Sequence, residues 1–133
     1  MQITAATERL TDVALLAMLQ AAVARAQAMV QPQCIVIVDS SVVELALMRM
    51  MAGAKVLSLR TALAKSQTVA LTGKPSAAMP EAVCTPIAAA TDGAMTGLPG
   101  GLPIWRNGVL LGGIGVGSDS GSQDVEVAEA AQT

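Results

Sequence analysis

The stretch Gly108–Ala131, GVLLGGIGVGSDSGSQDVEVAEAA, constrains this chain more than any other. It opens on a turn glycine and continues as an apolar strand whose surface Gly112, Gly113, Gly115 and Gly117 keep bare. It then crosses Asp119-Ser120-Gly121 and enters an acidic helix start at Gln123-Asp124. A strand stripped of side chains on one face lets another backbone, or a ligand, come close. The loop amides at the following helix start could hold a carboxylate or phosphate.

Whatever packs on that strand must do so almost without aromatic residues. Of 133 residues 53% are hydrophobic, yet Trp105 stands alone and there is no Phe or Tyr. The core is therefore built from Ala, Val, Leu, Ile and Met. Small side chains stabilise through many close contacts or through subunit packing, which predicts a homo-oligomer. The length predicts one domain over 1–133.

Val13, Leu16, Leu19, Val23, Ala26 and Val30 recur at helical spacing behind Thr11 as N-cap, predicting a first helix that ends before Pro32. That apolar run is too short to span a bilayer, and Asp12 at its edge argues for an amphipathic helix over a signal segment. Cys34–Val38 reads as a buried strand, Asp39-Ser40-Ser41 as a turn whose Asp bonds its own downstream amides, and Val42–Met48 as the partner strand. A second helix runs from Ser58, with Leu59, Ala62, Leu63, Ser66 and Val69-Ala70 on its apolar side and Gly73 and Pro75 as its stop. Residues 77–101 read as loop, with short helical turns near Pro80 to Ala90. Leu102–Trp105 and Val109–Val116 form a second hairpin across Arg106-Asn107-Gly108, and Gln123–Ala131 closes the chain as a helix. An antiparallel sheet faced by helices satisfies this order without a βαβ crossover.

Absences sharpen the chemistry. There is no histidine, so Ser-His-Asp and Cys-His dyads and the common zinc sites are excluded, and no metal site is expected. Acid–base work falls to a carboxylate, a lysine or a thiol. Eight scattered basic residues against ten acidic ones, net charge -2, offer no stripe for nucleic acid. Cys34 and Cys84 lie outside any CxxC and read as reduced thiols of a cytoplasmic protein. Gly115-Val116-Gly117 is followed by Ser118-Asp119-Ser120 rather than a third glycine, and Gly-Lys-Ser/Thr is missing, so neither nucleotide fingerprint is met. The methionines Met48, Met50 and Met51 suit core filling better than ligation of a soft metal.

Gly100-Gly101-Leu102-Pro103-Ile104, Gly108 to Val116, and Gly121-Ser122-Gln123-Asp124 with Ala128 and Ala131 resemble the closing signature of the GlcG/HbpS family. These are small haem-degrading or haem-binding domains, also seen as the C-terminal domain of some PduO proteins. Val36 to Asp39, Arg49-Met50, Gly53-Ala54, Ser58, Ala64-Lys65 with Thr68 and Ala70, and Gly73 with Pro75-Ser76 extend the resemblance over nearly the whole chain. It implies an α+β, profilin-like sandwich with an antiparallel sheet of about five strands flanked by helices. It also implies assembly into dimers up to octamers, and a small-ligand pocket between subunits with haem or a corrinoid-related role in some members. Haem-binding members use histidine, which this chain lacks, so iron would have to be met by Cys34, Cys84 or a Met. Gln67 and Leu71 also stand where an aromatic usually appears, and Asp39-Ser40-Ser41 replaces a glycine-rich turn.

Two residues stand out as chemistry-bearing. Lys65 lies mid-helix, either on a solvated face or as a buried base or anion ligand. Asp124 sits at a helix start, where a carboxylate favours the positive helix end and Ser120 or Ser122 can cap free amides. We expect a ligand pocket built from Lys65, Gly100, Gly101, Leu102, Pro103, Gly117, Ser118, Gln123 and Asp124. The function expected is an oligomeric small-molecule binding protein taking a small organic acid or cofactor. The alternatives are a cofactor-independent isomerase, lyase or cyclase using Lys65 or Asp124 as acid or base, and a structural assembly subunit.

Overall fold

The computed structural model describes residues 1–41, 44–118 and 120–132. Its elements run α1 (Asp12–Ala28), β1 (Cys34–Asp39), β2 (Glu44–Met50), α2 (Val56–Thr72), a 3-10 turn (Ser76–Ala78), α3 (Glu81–Ala90), β3 (Gly101–Arg106), β4 (Val109–Gly117) and α4 (Gly121–Ala130). The strands form one antiparallel sheet in the order β2-β1-β4-β3. Among the described residues it has the four strands of the two hairpins read from the sequence, where the family resemblance implied about five. β2 extends to Met50, two residues beyond the Met48 expected as its end. Val42, Val43 and Asp119 lie outside the described residues.

The second hairpin turns on Asn107 (φ 50) and Gly108 (φ 76), the pair of positive φ angles that a two-residue type I′ turn requires and that Asn-Gly tolerates. Thr11 caps α1 by accepting from the Ala14 amide at 3.2 Å. α1 stops at Ala28 through paired bonds from Val30 N–H to the Gln27 carbonyl and from Gln31 N–H to the Ala26 carbonyl. That geometry puts Val30 at φ 54, a left-handed conformation that costs an L-residue about 1–2 kcal/mol and that helices usually give to glycine.

β1 is buried along its whole length, as its β-branched run requires once both sheet faces are covered. On one face Ile35, Ile37, Ile114 and Val116 pack with Leu15, Ala22 and Ala26 of α1 and Val127 and Ala128 of α4. On the other, Cys34, Val36 and Val38 meet Ala62 and Ala70 of α2.

α2 comes closer to the sheet than side chains would allow. A Cβ on Gly115 would overlap the Ala62 carbonyl oxygen, one on Gly117 would overlap the Ser58 carbonyl, and one on Gly113 would stand 2.6 Å from the Ser66 carbonyl. Ser58, Ala62 and Ser66 are spaced i, i+4, i+8, advancing about 6 Å per step. Gly117, Gly115 and Gly113 alternate along the strand, advancing about 6.8 Å per step in the opposite sense. The helix backbone therefore stays in register with the bare face over two turns, and the Ser66 hydroxyl donates to the Gly113 carbonyl at 2.8 Å. The sequence left open whether a backbone or a ligand would occupy this face, and a backbone does.

Asp39 closes the other end of β1. Its carboxylate accepts from Ser41 N–H at 2.8 Å, Ser41 Oγ at 2.5 Å and Leu10 N–H at 3.2 Å, with Arg9 at 3.7 Å. Burial alone would raise its pKa, but the bonds from Ser41 and Leu10 and the Arg9 charge outweigh it and hold the carboxyl below its usual range. A depressed folded-state pKa contributes stability that is present above the unfolded value, near 3.9, and is lost as pH falls through the folded value. Urea midpoints of wild type and Asp39→Asn should therefore differ at pH 7 and converge as pH falls below about 4. Gly115→Ala should cost about 3 kcal/mol or abolish folding, because the atom in its way is helix backbone, and chemical denaturation reads this directly.

Candidate functional site

Lys65 is 4% exposed and Asp124 2%, so the helix face that carries the lysine is interior. Lys65 Nζ donates to Asp124 Oδ2 at 2.9 Å and to the Val116 carbonyl at 2.7 Å. Ser118 Oγ donates to Asp124 Oδ1 at 2.5 Å. Gln33, fully buried, is surrounded by acceptors, so its amide nitrogen faces them and donates to Gly117 O (3.0 Å), Asp124 Oδ1 (3.1 Å) and Ser118 Oγ (3.2 Å). Among the described residues no buried side-chain nitrogen or oxygen lacks a partner. The ion pair thus bridges α2 to α4 around the end of β4, with both charges compensated and hydrogen-bonded, the condition under which a buried pair is tolerated.

The expected site residues are brought together, but as a packed joint. Gly100 (φ 121) sits under the pair, where a Cβ would lie 2.7 Å from Asp124 Cβ, 2.7 Å from the Val116 carbonyl and 3.0 Å from Lys65 Nζ. Gly101 is pressed against the Lys65 carbonyl and the Ser76 hydroxyl, which accepts from its amide at 2.9 Å. Leu102 packs on the core that faces α1 and α4, and the Pro103 carbonyl accepts from Gln132 Nε2 at 3.2 Å. Gln123 is partly exposed on α4. Ser120 holds the N-cap position of α4, but its hydroxyl pairs with that of Ser122 at 2.9 Å and caps no amide, so the capping expected of these serines is not made.

Gln33 is the residue that sequence reasoning missed. A polar residue directly before a run of buried β-branched residues was the available signal, and only the fold shows that it faces Asp124.

Cys34, next in sequence, is fully buried, with Sγ 3.5 Å from the Lys55 carbonyl. Burial, with a smaller push from the Asp124 charge, raises its pKa above the ordinary thiol value and disfavours the reactive thiolate. Both cysteines are free, and Cys84 is partly exposed on α3.

Open space lies elsewhere. A groove of about 320 Å³ between α2 and α3 is lined by Thr68, Lys74, Met79, Val83, Ile87 and Met95, among others. Lys65, Thr68 and Thr72 follow one another on α2 at i, i+3 and i+7, so the groove opens on the same helix side as the ion pair, further toward the C-terminal end. α3, read from the sequence as loop with helical turns, is a ten-residue helix that contains Pro86 and buries none of its residues. Among the described residues no three His, Cys, Asp or Glu side chains cluster as a metal site, and no helix is long and apolar enough to cross a membrane.

The haem-degrading HbpS-like family matches residues 10–133. The chain belongs to that family. Solved structures agree. A PduO C-terminal domain described as a haem complex is 26% identical over 93% of each chain, with a TM-score of 0.85. The Klebsiella pneumoniae protein ORFY superposes with a TM-score of 0.92 at 21% identity, covering 99% of this chain and 94% of that one. Streptomyces reticuli HbpS, as a double mutant, does so with a TM-score of 0.86 at 24% identity, covering 97% and 88%. The latter two likenesses concern the fold alone. No curated protein matches by sequence.

Removing one partner of the joint leaves a buried, uncompensated charge, a loss of about 3–5 kcal/mol. Lys65→Met and Asp124→Leu should each destabilise by that order. The double variant should recover most of the loss, which a double-mutant cycle by denaturant unfolding measures.

Proposed function

We propose that this protein is an oligomeric small-molecule binding protein that takes a small organic acid or cofactor in the groove between α2 and α3, completed by a second copy. The observation that carries this reading is α3 itself. A ten-residue helix that contains Pro86 is too short to be stable alone in water. It nevertheless presents Val83, Ile87 and Ala88 with none of its residues buried. An apolar helix left uncovered beside an apolar groove is the expected form of a site that closes on association.

Membership of the HbpS-like family and the 26% likeness to a domain described as a haem complex support a small ligand in this reading. At about 320 Å³ the groove is at the small end of ligand pockets, which suits a small acid within one chain. Lys74 supplies its cation, while the Thr68 and Thr72 hydroxyls on its wall are bonded within the chain, Thr68 to the Ala64 carbonyl and the Thr96 amide and Thr72 to the Lys74 backbone. Haem would meet no imidazole here, and Cys34 is sealed beneath α2. The residues that would reach its iron are the thioethers of Met79 and Met95 at the groove, or Cys84 on α3. In this reading the joint of Lys65, Gly100–Pro103, Gly117, Ser118, Gln123 and Asp124 holds α2 in place as the groove's wall. An acid or base role for Lys65 or Asp124 would require that pair to open.

Light scattering should give a mass above that of the monomer, and Ile87→Asp should reduce it. Short-chain carboxylates, or haem, should raise the melting temperature of wild type, and Ile87→Asp and Lys74→Gln should lose most of that rise. A monodisperse monomer with no thermal response to either probe would sink the reading.

A further inference from the structure

The corner where α1 ends against β2 holds a second, separate groove of about 380 Å³, lined by Val23, Gln27, Val30, Pro32, Arg49 and Met51, among others. Arg49 is its only charged lining residue. Its guanidinium is exposed and makes no ion pair among the described residues. By contrast, the larger groove under residues 8–11 sets Arg9 and Arg106 against Glu8, with Arg9 already turned to Asp39, so its charges offset one another.

Val30 supplies an independent observation. It occupies the position after α1 where glycine is favoured, at φ 54, and its side chain is 87% exposed. Backbone strain and apolar exposure are both unfavourable, and nothing within the chain packs on the side chain to offset them. A β-branched residue at positive φ is an outlier that points from structure to function. The exposed isopropyl group stands on the lip of the groove.

We infer that this corner is a binding site for a small amphipathic monocarboxylate, distinct from the α2–α3 groove. Arg49 takes the carboxylate through the paired N–H donors that suit planar oxyanions. Gln27 also lines the groove and offers a further amide donor, and Val23, Val30, Pro32 and Met51 cover the apolar body. The chemistry is that of a short unbranched fatty acid. An alcohol of the same chain length lacks the group that Arg49 recognises.

The test is an amide NMR titration of the full chain with sodium hexanoate, and with 1-hexanol as the uncharged control. Hexanoate should shift the amides of Gln27, Val30, Gln31, Arg49 and Met51 with a dissociation constant on the order of millimolar, as befits so few atoms. Hexanol should bind at least about tenfold more weakly, and Arg49→Gln should weaken hexanoate by a similar factor, one tenfold step in affinity being about 1.4 kcal/mol. Val30→Gly should raise the melting temperature of the free protein while weakening hexanoate severalfold, a combination that a purely structural role for Val30 does not produce. Shifts confined to Val83, Ile87 and Met95 would overturn this inference while supporting the α2–α3 groove. Equal affinity for hexanoate and hexanol, or unchanged affinity in Arg49→Gln or Val30→Gly, would also overturn it. Because each groove has its own reporter amides, failure at one leaves the other readable.

Discussion

The structure depends on a backbone-to-backbone contact between α2 and β4. Gly113, Gly115 and Gly117 present no side chain to the helix, and the carbonyls of Ser66, Ala62 and Ser58 occupy the room they leave. Two periodicities have to agree for this, one turn-and-a-bit of helix against two residues of strand. With so few aromatic side chains available, close approach replaces bulk as the source of contact. The same proximity brings Lys65 to the Val116 carbonyl and Ser66 to the Gly113 carbonyl. Gly100 and Gly101 extend the bare floor toward β3, beneath the same helix.

Once α2 lies that close, a lysine on its buried face needs a counter-charge, and Asp124 at the start of α4 is where the fold provides one. Gln33 and Ser118 use the remaining acceptor capacity of that carboxylate. The network ties α2, β1, β4 and α4 at one point, and its cost in desolvation is tolerable only because each polar atom is paired. Asp39 plays the corresponding part at the opposite end of β1, holding the chain at Leu10 and the turn at Ser41. Between these two polar clamps the sheet is apolar on both faces. Outside them, β2 and α3 are left largely uncovered, with Leu45, Met48, Met50 and Val83 exposed. Further apolar side chains are exposed on α1 (Val13, Leu16), at the start of α2 (Val56, Leu57) and on the second hairpin (Trp105, Val109).

Much of the fold was legible because local signals agreed with the global arrangement. Thr11 as a cap, Gly73 as a left-handed stop, Asn107-Gly108 as a hairpin turn and Asp39 bonding Ser41 are each enforced by residues within a few positions of one another. The errors came where local signals were weak or tertiary contacts overrode them. Pro86 and the neighbouring glycines disguised α3, which the sequence reads as loop with short helical turns. Lys65 and Asp124, singled out from the sequence, form a buried ion pair. Their mutual neutralisation joins residues 59 positions apart, and no spacing rule reveals that.

The sequence by itself determined that β4 leaves room for a backbone or ligand to approach, that the core would be aliphatic, and that histidine chemistry is excluded. Those statements follow from which atoms are present or missing at given positions. Only the tertiary structure decided that α2 occupies the bare face, that the expected ligand residues close into a joint, and that open grooves lie beside α3, at the end of α1 and under residues 8–11. The reason is geometric. A missing Cβ permits close approach from any direction, and which element arrives there depends on strand order and helix placement across the whole chain.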